Sequence, residues 1–241
     1  MVKRLVVFDF DWSLVDQDTD RYVFECLQPE LRKSMKVDKA HVQWTDLMAR
    51  NLGKLHEQGF TRQQIEESLQ ELPFASGSQH RAMRRGVRSL KERTQTTLFC
   101  LSNSNSIFID TILKHHRMTD IFSEIVTNPA EWDDTGLLKL RRRISPEEQQ
   151  HNCKVGCSPN MCKGTELAAY LERHGGFDQV IYVGDGGNDM CPVLTLRSQD
   201  LALVRTGREL QRRIAREGGT RCEIKYWGGA WEVEQIFNTM Q

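Results

Sequence analysis

The stretch Leu5-Val6-Val7-Phe8-Asp9-Phe10-Asp11-Trp12-Ser13 runs four apolar residues into a pair of acids. Residues 5–8 are Val-rich and lack helical spacing, as in strands of a parallel sheet covered on both faces. Working outward, similar runs recur at 97–101, 124–127, 180–183 and 201–204. Helical patterns lie between several of them, at 79–93, 105–116, 165–174, 190–196 and 209–217. Alternation of strand and helix predicts βαβ units, and hence an α/β fold built on a doubly wound parallel sheet.

One stretch breaks the alternation. From about Asp18 to Leu72 no strand is legible, only helical patterns at 41–58 and 61–72. Thr61 is placed to cap the second of these, Pro73 stops it, and residues 73–77 read as a linker. The expected organisation is therefore a core of residues 1–17 and 73–241, interrupted by a helical unit at 18–72. No internal repeat and no low-complexity segment is present.

The 33 basic and 33 acidic residues balance, so no whole-chain field draws the protein to nucleic acid or an acidic membrane. Acids follow the first four apolar residues too soon for a signal-peptide core, and no run is long enough to cross a bilayer. A cytoplasmic location is the expectation. Seven cysteines are an odd number, four of them isolated at Cys26, Cys100, Cys191 and Cys222. Reduced thiols fit this better than a disulfide framework.

Strand side chains alternate, so Asp9 and Asp11 can point to one side. Two close carboxylates repel unless they share a proton or a cation sits nearby. A second cluster, Gly184-Asp185-Gly186-Gly187-Asn188-Asp189, follows the run 180–183 and combines tight-turning glycines with two more carboxylates. A third, Ser102-Asn103-Ser104-Asn105, ends the run 97–101 with hydroxyls and amides suited to phosphate oxygens. Each cluster alone reads as an ordinary loop or helix cap. Doubly wound folds bind ligands outside the carboxyl ends of their strands, so three such ends point to one site. No Gly-x-x-x-x-Gly-Lys-Ser/Thr loop is present, and Asp189 stands where a dinucleotide fingerprint needs its third glycine. Asp9 to Leu14 lacks the central glycine of an EF-hand loop.

These residues resemble the motifs of the haloacid dehalogenase (HAD) phosphatases. Asp9-Phe10-Asp11-Trp12-Ser13 resembles their Asp-x-Asp-x-Thr, with Ser13 in place of threonine. Ser102 matches the second motif, Lys163 the third, and Gly184 to Asp189 the fourth, which Cys191-Pro192 extends as in the relatives. The resemblance spans the chain and is nearest to a subgroup of phosphoethanolamine/phosphocholine and pyridoxal phosphate phosphatases. It implies a Mg²⁺-dependent phosphomonoesterase working through an aspartyl-phosphate. Asp9 would be the nucleophile and Asp11 the acid/base, with Ser102 and Lys163 on the phosphate oxygens. Asp9, the Asp11 backbone carbonyl and Asp185 would hold the metal, with Asp189 a direct ligand or one step behind. Residues 18–72 would form a small helical cap in the C1 position. Asp20, Asn103 and Gly186 would meet the substrate, a small phosphate ester.

Asp20 matches an acid that faces the cationic head group in amine-ester phosphatases. Their second such acid would follow Ser102, where this chain has Asn103. That exchange points first to pyridoxal 5′-phosphate, then to phosphoethanolamine or phosphocholine, then to pyrophosphate or thiamine phosphate. A catalytically weak binding protein and a phosphotransferase are the rival readings.

His151, Cys153, Cys157 and Cys162 approach the spacing of a structural zinc site, although the first interval is Cys-x₃-Cys where the relatives have a tighter one. Packed reduced thiols are the alternative. Arg205, Arg208, Arg212 and Arg216 recur at helical spacing and read as one solvated face. Trp12 is expected at the substrate entrance, and Trp227 and Trp231 in the core or an interface.

Overall fold

The computed structural model describes residues 2–72 and 78–240. In chain order the strands are β1 (Arg4–Phe8), β2 (Thr96–Asn105), β3 (Glu124–Asn128), β4 (Ala130–Trp132), β5 (Leu138–Leu140), β6 (Gln179–Gly184), β7 (Leu201–Arg205) and β8 (Glu223–Trp227). Six of them form one parallel sheet in the order β3-β2-β1-β6-β7-β8, and β4 and β5 pair as a separate antiparallel hairpin. The expected doubly wound α/β sheet is present, and the five strands read from apolar runs all belong to it.

Every residue of β1 is buried, which is why it reads as an unbroken apolar run. Its side chains alternate between two cores. Val6 and Phe8 join Met83, Val87, Val233 and Phe237, from α5 (Ser78–Arg93) and α10 (Ala230–Asn238). Leu5 and Val7 join Leu167, Tyr170, Val193 and Leu210 on the other face. These come from α7 (Lys163–His174), α8 (Met190–Thr195) and α9 (Glu209–Glu217). Tyr170 stacks on Phe99 with ring centroids 4.1 Å apart.

Between β1 and α5 lie α1 (Thr19–Leu27), α2 (Pro29–Asp38), α3 (Trp44–Glu57) and α4 (Arg62–Gln70). Asp18 caps α1 by accepting the Arg21 N–H at 3.0 Å, and Thr61 and Gln64 form a reciprocal capping box on α4. Their buried Phe24, Met48 and Leu69 belong to the same apolar cluster as Val6 and Phe8. Helix α4 also packs on α6 (Ser106–His115), and α3 on β5.

Some elements departed from expectation. Strand β8 and helix α10 carry no long apolar run, and β4 and β5 have three residues each. Arg205 closes β7 and Arg208 is the N-cap residue of α9, so the four arginines do not share one helical face. Trp227 is buried, whereas Trp231 is exposed. The linker read at 73–77 lies outside the described residues. Among the described residues, no helix is long and apolar enough to cross a membrane.

Candidate active site

The chain passes from β1 outward to β2 and β3, then returns on the far side of β1 to β6. That reversal brings together the carboxyl ends of β1, β2 and β6, where such sheets bind ligands. Asp9 follows β1, Ser102 lies near the end of β2, and Asp185 follows β6. Lys163 opens α7, and Asp189 closes the short turn Gly187–Asp189.

Lys163 is fully buried, yet its ammonium sits 2.7 Å from Asp9 Oδ1 and 2.8 Å from Asp189 Oδ1. Asp189 also accepts the Tyr182 hydroxyl at 2.7 Å and the N–H groups of Asp185 and Gly186 at 3.0 and 2.8 Å. Four donors occupy its two oxygens, close to what a carboxylate can accept. Gly184 is a steric requirement: a Cβ there would lie 2.7 Å from Oδ2 of the buried Asp189.

Asp9 is held by its own loop, accepting the Phe10 N–H at 2.7 Å while its N–H donates to the Val183 carbonyl at 2.9 Å. The chain then makes a kinked turn over Phe10–Leu14, with Trp12 in the left-handed region at φ +57°. A non-glycine residue there is uncommon, and the strain accompanies the aiming of Asp11 and Trp12 into one cavity. Asp11 Oδ1 accepts the Thr19 N–H at 3.1 Å. The Thr19 and Ser104 hydroxyls share a hydrogen bond of 2.8 Å, which joins the start of α1 to β2. Ser102 Oγ accepts the Ser104 N–H at 3.1 Å, and Asn103 Oδ1 accepts from Asn188 Nδ2 at 2.7 Å.

A cavity of about 490 Å³ opens on these groups. Asp9, Asp11, Asp20, Ser102, Asn103, Asp185 and Gly186 line it. Lys163 and Asp189 lie behind its wall, 1% and 0% exposed. Trp12, Trp44, Arg208 and Arg212 also line it; of these the sequence placed only Trp12 at the site, and Arg208 and Arg212 were read as a solvated face. Arg208 stands over the Trp12 ring, 3.5 Å from its centroid. It follows the end of β7, so the strand-end rule applied there would have found it. Trp44 Nε1 donates to Asp20 Oδ2 at 2.7 Å, while Asp20 Oδ1 is buried with no partner among the described residues.

Burial pushes the Asp9 carboxyl well above the usual carboxylate range; Asp189 adds to the shift and Lys163 opposes it. Burial and then the charges of Asp18, Asp20 and Asp9 push Asp11 the same way. Asp185 is raised to about 7, by burial first and Asp189 second. Burial disfavours the charge on Lys163, but Asp189 and Asp9 outweigh it and hold the ammonium above its ordinary value.

This electrostatic surplus tests the fit of a metal. Carboxylate oxygens of Asp9, Asp185 and Asp189 all lie within 4.8 Å of one another, with one buried cation to balance three acids. An all-oxygen donor set suits a hard divalent ion such as Mg²⁺, which would relieve the repulsion that lifts these carboxyls. The residues fit the group.

A doubly wound sheet bearing Asp-x-Asp after its first strand, a hydroxyl near the end of its second, and a buried lysine beside further acids defines a phosphatase of the HAD superfamily. The chain belongs to the family described as "Putative Phosphatase", whose model matches residues 4–240. It is 32% identical over 219 residues to pyridoxal phosphate phosphatase PHOSPHO2 of Rattus norvegicus, covering 88% of this chain and 86% of the relative. It is 33% identical over 241 residues to a thiamine phosphate phosphatase-like protein of Arabidopsis thaliana, covering 98% and 94%. In fold it is similar to a HAD family hydrolase from Salmonella enterica serovar Typhi, with a TM-score of 0.67 and 11% identity over 100% of this chain and 72% of that one.

Proposed function

We propose that the protein is a Mg²⁺-dependent phosphomonoesterase acting on a small phosphorylated metabolite, with pyridoxal 5′-phosphate the first-choice substrate. The observation that carries this reading is the buried Lys163 ammonium held between Asp9 and Asp189, directly behind Asp9 in the wall of an acid-lined cavity.

In this reading Asp9 attacks phosphorus, the bond to the leaving oxygen breaks, and an aspartyl-phosphate forms. Asp11 gives its proton to the leaving oxygen, a step favoured by the burial that raises its carboxyl above the usual range. It then takes a proton from the water that attacks the aspartyl-phosphate, releasing inorganic phosphate and restoring Asp9. Ser102 and Lys163 bind the non-bridging oxygens and stabilise charge as it develops. Asp9, the Asp11 carbonyl and Asp185 would hold Mg²⁺, which supplies charge neutralisation between carboxylate and phosphate. Of the two roles open to Asp189, positioning Lys163 follows from its four hydrogen-bond donors. Residues 18–72 serve as the cap, contributing Asp20 and Trp44 to the cavity wall and restricting water.

The cavity rim supports the choice of substrate. Trp12 under Arg208 offers a flat cationic platform for an aromatic, anionic ester. The unpartnered Asp20 Oδ1 offers an acceptor to a hydroxyl or ring N–H. The name of the rat relative points to the same compound. Phosphoethanolamine or phosphocholine is the second choice, because Asn103 removes one negative charge from the wall, and pyrophosphate or thiamine phosphate is the third. Phosphate release from this panel, with Mg²⁺ and then with EDTA, tests the proposal. Metal-dependent release that favours pyridoxal 5′-phosphate is expected; a preference for phosphocholine would reverse the ranking, and turnover in EDTA would remove the metal.

A further inference from the structure

Away from the cavity, the thiols of Cys153, Cys157, Cys162 and Cys191 converge, with all four Sγ atoms within 4.8 Å of one another. The membership differs from the sequence grouping. His151 is turned aside, its Nε2 2.9 Å from the Ser158 carbonyl, and Cys191 arrives from α8 in its place. Cys191 Sγ lies 3.4 Å from both Cys153 Sγ and Cys162 Sγ. None of the four is in a disulfide.

Zinc–sulfur bonds of about 2.3 Å in a tetrahedron set sulfur atoms about 3.8 Å apart. The two shortest contacts, 3.4 Å each, lie about 0.4 Å inside that spacing, and no pair exceeds 4.8 Å. The backbone is also fitted to the cluster. A Cβ on Gly164 would lie 2.5 Å from Cys191 Sγ, so a glycine is required for that sulfur to reach its place. The segment carrying Cys153 and Cys157 has no helix or strand of its own. Gly156 at φ +94° and Asn160 at φ +118° turn it back on itself. A loop of this kind gains most from a cross-link at its centre.

We propose that Cys153, Cys157, Cys162 and Cys191 bind one zinc ion as a closed, structural site. Four protein sulfurs leave no open position, so the ion takes no part in the reaction. Its role follows from its neighbours in sequence. Cys162 immediately precedes Lys163, and Cys191 comes two residues after Asp189. The ion ties together the two segments that carry the buried Lys163–Asp189 pair, and so sets the distance between them. The site is independent of the proposed substrate.

The test is the metal content of the full chain, expressed with added zinc and purified without chelator. About one zinc per chain is expected, against near zero for the Cys153→Ser/Cys157→Ser double variant and an unchanged ratio for Cys26→Ser. A ratio near zero in the unaltered protein would overturn the site, as would full zinc retention by the double variant, which would place the ion among the cavity carboxylates instead. If the double variant fails to fold, Co²⁺ added to the zinc-depleted unaltered protein decides. Intense visible bands and sulfur-to-cobalt charge transfer support tetrahedral thiolate ligation; a pale octahedral spectrum refutes it.

Discussion

Lys163 and Asp189 form an ion pair 2.8 Å long, with both side chains completely withdrawn from solvent. Removing one partner of an isolated buried pair costs about 3–5 kcal/mol; here Asp9, 2.7 Å from the same ammonium, still balances part of the charge, so the loss falls below that range. Asp189→Asn is therefore expected to lower the urea midpoint measurably and to lower kcat more than it raises KM. Equilibrium denaturation alongside steady-state kinetics checks this; an unchanged midpoint would show that Lys163 does not need Asp189.

Asp9→Asn removes the proposed nucleophile but keeps an oxygen able to accept the Phe10 N–H. Turnover is expected to fall by about 10³-fold or more, with a far-ultraviolet spectrum like that of the unaltered protein. Wild-type activity in this variant would assign the attack to another group.

Asn103→Asp restores a second acid beside Asp20 in the cavity, and its carboxylate can still accept from Asn188. The ratio of kcat/KM for phosphocholine over pyridoxal 5′-phosphate is expected to rise about tenfold, the worth of one charge contact at about 1.4 kcal/mol. No change in that ratio would detach position 103 from substrate choice.

Arg208→Ala takes the guanidinium off the Trp12 ring. A loss of about 1 kcal/mol of binding is expected, a several-fold rise in KM for pyridoxal 5′-phosphate with kcat nearly constant. A fall in kcat at constant KM would instead place Arg208 in the chemical step.

Burial, then the charge of Asp18, raises Asp20 from 3.8 to about 7, against the hydrogen bond from Trp44. Below pH 4 both folded and unfolded chains carry the proton, and the group is neutral to stability. Between pH 4 and 7 the unfolded chain ionises first, so stability falls with rising pH and stays lower above 7. Asp20→Asn abolishes this loss. It should raise stability at pH 8 by an amount of order 2–4 kcal/mol and leave pH 4 nearly unchanged. Urea unfolding at the two pH values in Mg²⁺-free buffer measures it; equal effects at both would show that Asp20 ionises normally.

The central sheet was legible because β1, β2, β6 and β7 are buried on both faces and so appear as apolar runs. Edge strand β8, whose residues are mostly exposed, left no such run. The strand-end acids were legible for the same reason: the runs stop where the carboxylates start. Arg208 and Trp44 were not, because they reach the cavity from a helix N-cap and from α3, positions that only tertiary packing brings together. Cys191 was treated as an isolated thiol because 28 residues separate it from Cys162, and the fold closes that gap across α7 and β6.

The apolar faces of α1, α3 and α4 share one unbroken buried cluster with Val6 and Phe8 of the sheet. Water reaching that cluster from either side would undo both layers at once, so the helices and the sheet melt together as one cooperative unit, with no state in which the cavity roof is lost while its floor survives.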